Sequence, residues 1–357
     1  MVFRGTRELR NLDINSILIR CPNWVGDLVM ATPALRAVRS RFPNAHITVV
    51  VKKSVKEVIQ GLDLFNEIVE FDPKDKDKGW VGLIKFSKKL AHRKWDLALI
   101  LPNSIGAAFM AYFAKAKRRV GFDLNHRGFL LTHPLSYPSN GDGPLPTVEG
   151  YLHLCCFLGC ENISTKYQLS LLKHTEDKVK KLFKEKGLSR KEKYLLMIPG
   201  ASYGSSKCWP PDYFAKVADH IEVEFGLKVV IAPGPNEEDI AFRIKENMKR
   251  EPFIFVDPIL SLEELKAVIK RSSLVVTNDT GPRHIAVAFE RPLIVLMGPS
   301  DPRYTSVNLS HTIVLRYPTK CSPCNLKQCP GTHECMRGIS PHAVIDAAHR
   351  LIYSYGL

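Results

Sequence analysis

Short apolar runs alternate along this chain with longer stretches whose apolar residues recur at helical spacing. Ser16 to Cys21, His46 to Val51, Glu67 to Phe71, Asp96 to Leu101 and Arg119 to Phe122 read as strands, with helices at 28–42, 55–60, 80–92, 105–116 and 148–158. A Lys-rich amphipathic helix, His174 to Lys186, and the polar run Gly187 to Lys193 interrupt the series. It then restarts, with strands at 194–198, 228–232, 253–256, 273–277 and 292–297 and helices at 211–225, 236–249, 261–271 and 282–289. Such alternation builds parallel sheets covered by helices on both faces. The expected fold is therefore α/β, with two Rossmann-like domains facing each other across a cleft. The expected boundaries are 1–175, 176–340 and a last helix in 341–357, whose apolar spacing demands a partner and which is expected to pack back on the first domain.

A length of 357 residues agrees with two domains. Charge adds a direction: 51 Lys and Arg stand against 36 Asp and Glu, and residues 1–150 hold 23 and 14 of these. A surplus concentrated in the amino-terminal half favours an anionic partner, whether nucleic acid, a phosphate-bearing glycolipid or an acidic membrane face, with plain solubility as the alternative. Nucleic acid is disfavoured, because no recognised module or aromatic–basic interleaving accompanies the charge. Met1 to Asp13 has no signal-peptide core and no apolar run is long enough to span a bilayer, so a cytoplasmic protein is expected. In that compartment nine cysteines are thiols or metal ligands rather than a disulfide framework. Cys21, Cys155, Cys156, Cys160 and Cys208 read as small buried hydrophobes.

Candidate chemistry lies at strand ends. Asn278-Asp-Thr-Gly-Pro-Arg-His284 closes one strand and opens a helix, and a helix start offers unpaired N–H groups to an anion. Thr280 to His284 is thus either an anion cradle or an ordinary cap. In the loop Pro199 to Pro210, small residues allow close backbone approach, and Lys207 is either a phosphate ligand or an inert surface lysine. Glu237, after the next strand, is placed to accept from a ribose diol, or else it complements the helix dipole as Glu238 and Asp239 do. In the first half Asp27 follows the first strand, ahead of the helix; it is a general base for a hydroxyl or an N-cap. Cys321, Cys324, Cys329 and Cys335 have the count and reach of a structural zinc site, with free thiols or a disulfide as alternatives. The helix starting at Ile105 carries Phe109, Tyr112 and Phe113 and ends in Lys115-Ala-Lys-Arg-Arg119, cations that either stabilise its carboxyl end or meet an anionic acceptor or membrane surface.

Three of these stretches together resemble glycosyltransferase family 9, the lipopolysaccharide heptosyltransferases. They are Pro22 to Arg36, Pro199-Gly-Ala with Lys207-Cys-Trp-Pro210, and Asn278 to His284. The Asn-Trp-Val-Gly-Asp form of the first is most similar to the branch of ADP-heptose:lipopolysaccharide heptosyltransferase II. The resemblance implies a GT-B fold and inverting transfer of heptose from ADP-heptose to the inner core on lipid A, at the cytoplasmic face of the inner membrane. It implies Asp27 as catalytic base, Lys207 on the donor phosphates, Thr280 and Gly281 at the diphosphate, Asp279 and His284 framing that site, and Glu237 on the ribose. Protein cations then take the place of a required metal. A family 9 relative using another nucleotide sugar is the main alternative. Two positions depart from the family pattern: Arg283 stands where Met is more usual and is expected to add a guanidinium beside the diphosphate that either strengthens phosphate binding or alters the sugar pocket, and Pro282 leaves the cradle to the amides of Gly281, Arg283 and His284.

Overall fold

The apolar runs become strands, and every pairing between them is parallel. The first unit, Met1–Ser170 with Arg303–Val307, contains β1 (Ser16–Arg20), β2 (His46–Lys52), β3 (Glu67–Phe71), β4 (Leu97–Ile100), β5 (Arg118–Phe122) and β6 (His133–Leu135), in the order β3-β2-β1-β4-β5-β6. Ile17 stands opposite both Ile47 and Leu97, which fixes the central register. Helices α1 (Val25–Arg41), α2 (Gly79–Leu90), α3 (Ile105–Phe113) and α4 (Thr147–Phe157) cover the sheet. Covering both faces explains why Ile17, Ile19, Val49 and Val51 are as fully buried as Leu18 and Val50.

The second unit, Leu171–Pro302 with Asn308–Leu357, repeats the plan. Its strands are β7 (Tyr194–Ile198), β8 (Lys228–Ile231), β9 (Phe253–Ile254), β10 (Leu274–Asn278), β11 (Leu293–Leu296) and β12 (Thr312–Leu315). Their order, β9-β8-β7-β10-β11-β12 read from that edge, is again the doubly wound one. Helices α5 (Lys173–Glu185), α6 (Pro211–Phe225), α7 (Glu238–Asn247), α8 (Leu262–Arg271), α9 (Gly281–Ala288), α10 (Glu334–Arg337) and α11 (Pro341–Tyr355) complete it. The strand order reverses between β1 and β4 in one sheet and between β7 and β10 in the other. Ligands of open parallel sheets bind beyond the strand ends at such switch points.

This is a computed structural model that describes Leu9 and residues 12–138, 141, 143–189 and 191–356. The reading of Met1 to Asp13 falls largely outside those residues. Among the described residues no helix is long and apolar enough to cross a membrane.

Three expectations are corrected. The division comes at Ser170 rather than 175, and Arg303–Val307 belongs with the first unit. The last helix is seated in its own unit: Val344, Ala347, Ala348, Leu351 and Ile352 join the core formed with Phe214, Val217 and Ile221 of α6. The first helix starts at Val25, not Leu28, with Trp24 as its N-cap. Pro33 lies inside that helix and cannot donate to Val29 O, the acceptor four residues back. Thr32 Oγ1 donates to that same carbonyl at 2.7 Å, so the acceptor stays satisfied.

Candidate active site

In the second unit the switch point is assembled by the last residues of β10. Thr277 Oγ1 donates to Ile198 O (3.0 Å) at the end of β7. Asn278 holds the loop after β7: its Nδ2 donates to Pro199 O (2.5 Å), and its Oδ1 accepts from Trp209 N (3.1 Å). Trp209 is fully buried, and its Nε1 donates to Ile339 O. The loop carrying Lys207 is thereby pinned at both ends.

Asp279 is the pivot of the site. Lys207 Nζ donates to its main-chain oxygen (2.9 Å) and to its Oδ2 (2.8 Å), while Arg283 Nη1 meets Oδ1 at 2.5 Å. Burial alone would raise this carboxyl, but the charges of Arg283 and Lys207, with hydrogen bonds from Lys207 and Ser300, hold it well below the carboxylate range. His284 is driven the other way for an imidazole, down to about 3, by burial and then by the positive charge of Arg283. It is neutral at physiological pH. Two cations and one carboxylate leave a net charge of +1 at the start of α9.

The expected roles are distributed unevenly among these residues. Arg283 is 1 % exposed and its guanidinium is held against Asp279, a buried ion pair rather than an exposed cation. Its amide bonds Thr280 O (3.3 Å) and Pro282 has none, so of the first three helical residues Gly281 offers the uncommitted N–H. Thr280 is the N-cap, yet its side chain makes no cap hydrogen bond. Lys207 has placed two of its three N–H groups on Asp279 and retains one. Lys207, Thr280 and Gly281 are the half-buried members that meet solvent.

Glu237 folds back over the same strand ends. Its Oε2 accepts from Gly234 N (2.8 Å), and Ala201 N also donates to the carboxylate. Burial raises its pKa against those two bonds. A Cβ at Gly200 would lie 1.7 Å from Glu237 Oε2, so only glycine allows the carboxylate to reach this place. Glu238 and Asp239, in the first turn of α7, serve the dipole.

The cysteine-rich segment has a part that its composition did not announce. It braces the Lys207 loop: Ser206 N donates to Lys327 O (3.1 Å), Tyr203 OH to Asn325 O (2.5 Å), and His333 Nε2 to Ser206 O (2.6 Å). Gly204, at φ +158, passes so close that a Cβ would stand 2.2 Å from Lys327 O. All four cysteines are free; Cys321 and Cys329 are exposed, Cys324 is half-buried and Cys335 buried. Burial, followed by the proximity of the other three, raises the Cys335 thiol. Among the described residues none of them belongs to a group of three donor atoms within 4.8 Å.

In the first unit Asp27 is the third residue of α1, half-buried in the first turn. It is neither a loop residue nor the N-cap. The carboxylate is favoured there by the helix dipole, and its charge helps burial to hold the Tyr151 hydroxyl protonated. Sequence reasoning missed two buried arginines that shape these strand ends. Arg20 bonds Cys21 O and Asn23 Oδ1, bracing the loop that leads into α1. Arg127 ties Phe122 O, Pro102 O and Asn103 Oδ1 together. Burial lowers each guanidinium to about 10, so both remain charged. A basic residue closing an apolar strand, as Arg20 does, was the available signal.

Residues 83–334 match the profile of glycosyltransferase family 9 (heptosyltransferase). Lipooligosaccharide heptosyltransferase 2 of Haemophilus influenzae is 28% identical over 301 residues, 81% of this chain and 85% of the relative. Among solved structures, a family 9 glycosyl transferase from Veillonella parvula superposes with a TM-score of 0.86 at 24% identity, covering 96% of this chain and 99% of that one. ADP-heptose lps heptosyltransferase II of E. coli gives 0.79 at 24%, covering 96% and 100%. The two doubly wound units have the GT-B fold of these neighbours.

Proposed function

The chain belongs to glycosyltransferase family 9, and from that premise we propose that it transfers heptose from ADP-heptose to the lipopolysaccharide inner core with inversion at the anomeric carbon. The observation that carries the proposal is the cationic pocket at the β7/β10 switch point. Lys207 keeps an N–H for a phosphoryl oxygen, Gly281 N–H and the Thr280 hydroxyl stand beside it, and the helix start adds partial positive charge. These groups stabilise the charge that gathers on the departing ADP, which is where electrostatic catalysis acts. Glu237, close against the Gly200 backbone, accepts from the ribose hydroxyls. In the first unit Asp27 takes the proton of the acceptor hydroxyl as its oxygen attacks. No metal is required in this scheme. Calorimetry with ADP tests the pocket: Lys207→Ala should weaken binding about tenfold or more, as loss of a charge-assisted hydrogen bond does, and unchanged affinity would remove Lys207 from the site.

A lipid-borne acceptor is supported by the outer face of α2 and α3. Trp80 (56 %), Val81 (66 %), Tyr112 (48 %) and Phe129 (73 %) are exposed together, with ring contacts from Trp80 to Phe109 (5.3 Å) and from Phe109 to Phe129 (6.4 Å). The stretches 74–94 and 104–132 that carry them hold thirteen Lys and Arg against three Asp. Aromatic rings rimmed by cations suit the headgroup region of an anionic bilayer. Co-sedimentation should show binding to phosphatidylglycerol vesicles but not phosphatidylcholine ones, reduced by Trp80→Ala with Phe129→Ala; equal binding to both lipids, or none, speaks against this contact.

A further inference from the structure

Within the second unit, α6 and α11 pack side by side and close a second polar cluster whose residues have no part in the scheme above. His220 and Glu224 are four residues apart and share one face of α6. By itself that would be an ordinary surface pair. A second imidazole, His349 of α11, is aimed at the same atom: Glu224 Oε2 lies 2.6 Å from His220 Nε2 and 3.0 Å from His349 Nε2. One donor atom from each of the three residues falls within 4.8 Å of the others. The rings are held in place, with His349 edge-on to Phe225 at 5.0 Å and 5.8 Å from the His220 ring.

Two imidazole nitrogens and one carboxylate oxygen form a donor set for a borderline-soft dication. Zinc distances of roughly 2.0–2.2 Å would place tetrahedral ligand atoms roughly 3.3–3.5 Å apart. From 3.0 Å the His349 spacing opens by a few tenths of an ångström and from 2.6 Å the His220 spacing by somewhat under 1 Å, movements open to side chains that are all partly exposed. We propose that His220, Glu224 and His349 bind a zinc-class divalent ion, with water in the remaining position, so that the ion clips α11 to α6. Each imidazole then presents its Nε2 lone pair to the metal and keeps its proton on Nδ1. Any second ring proton is released to water. The clip fastens the helix whose Val344, Leu351 and Ile352 complete the core behind β10 and β11.

The test uses the full chain, stripped with chelator and kept reduced, and reads thermal unfolding and calorimetry on adding zinc chloride, with no measurement of transfer. The unsubstituted chain should bind with micromolar affinity and unfold at a higher temperature with zinc. His220→Ala, His349→Ala and the size-conserving Glu224→Gln should each lose at least about tenfold in affinity together with the temperature rise, their metal-free unfolding staying near that of the parent. Cys321→Ser with Cys324→Ser should keep both responses. The proposal is overturned if zinc at millimolar concentration has no effect on the parent. It is equally overturned if the response survives in His349→Ala and Glu224→Gln, or if it disappears with the cysteines alone.

Discussion

Asp279 is bound by Lys207, Arg283 and Ser300, so its carboxylate is committed to those partners. Removing one member of such a buried group leaves charge uncompensated, commonly at a cost of about 3–5 kcal/mol. The neighbouring His284 makes the cluster acid-sensitive in a predictable direction. Its folded pKa, near 3, lies far below the roughly 6.5 of an unfolded histidine. Above about pH 6.5 both states are neutral; below it the unfolded chain binds a proton that the folded chain refuses, so stability falls as pH falls towards 3, by up to roughly 1.4 kcal/mol per pH unit. Asp279, with its pKa depressed, adds loss in the same direction once pH drops below about 4, where the unfolded carboxylate protonates first. Urea midpoints from pH 7 to 4.5 should therefore fall less steeply for His284→Asn than for the parent chain; parallel curves would contradict a buried neutral imidazole. Local spacing placed Thr280 and Gly281 at a helix start, where the structure has them. It did not suggest the burial of Arg283, because that depends on how closely the helix start packs against β10 and β11.

Elements were legible wherever apolar periodicity was strong and both neighbours were long. All five expected strands of each half exist, and α6 is bounded as its spacing predicts, at Pro211 and Phe225. The missing sixth strands, β6 and β12, are short edge strands. β6 is only His-Pro-Leu, too short to show a pattern, whereas β12 is Thr-Ile-Val-Leu, whose apolar run was present and went unread; it is only half-buried along its length. The bracing role of the cysteine segment was not legible, because contacts of its main chain with Tyr203 and Ser206 leave no trace in spacing.

At the scale of the molecule, the chain repeats one doubly wound plan and gives the copies different strand-end chemistry. One bears Asp27 in the first turn of α1, and the other bears Lys207, Glu237 and the start of α9. This division follows from topology, since each sheet reverses its strand order once and so has one place for a ligand. The duplication could be read from the sequence, as could the order of the three motifs. The inclusion of Arg303–Val307 in the first unit could not, because a short exposed excursion has no periodicity. The chemical step of the proposed transfer is carried by Asp27 as the base. Single-turnover transfer from ADP-heptose to a one-heptose core acceptor, compared between the parent chain and Asp27→Asn, examines it directly. A fall in rate of about two to four orders of magnitude with ADP affinity retained is expected from loss of a general base; transfer by Asp27→Asn at the parent rate, or no transfer by the parent, would contradict the account.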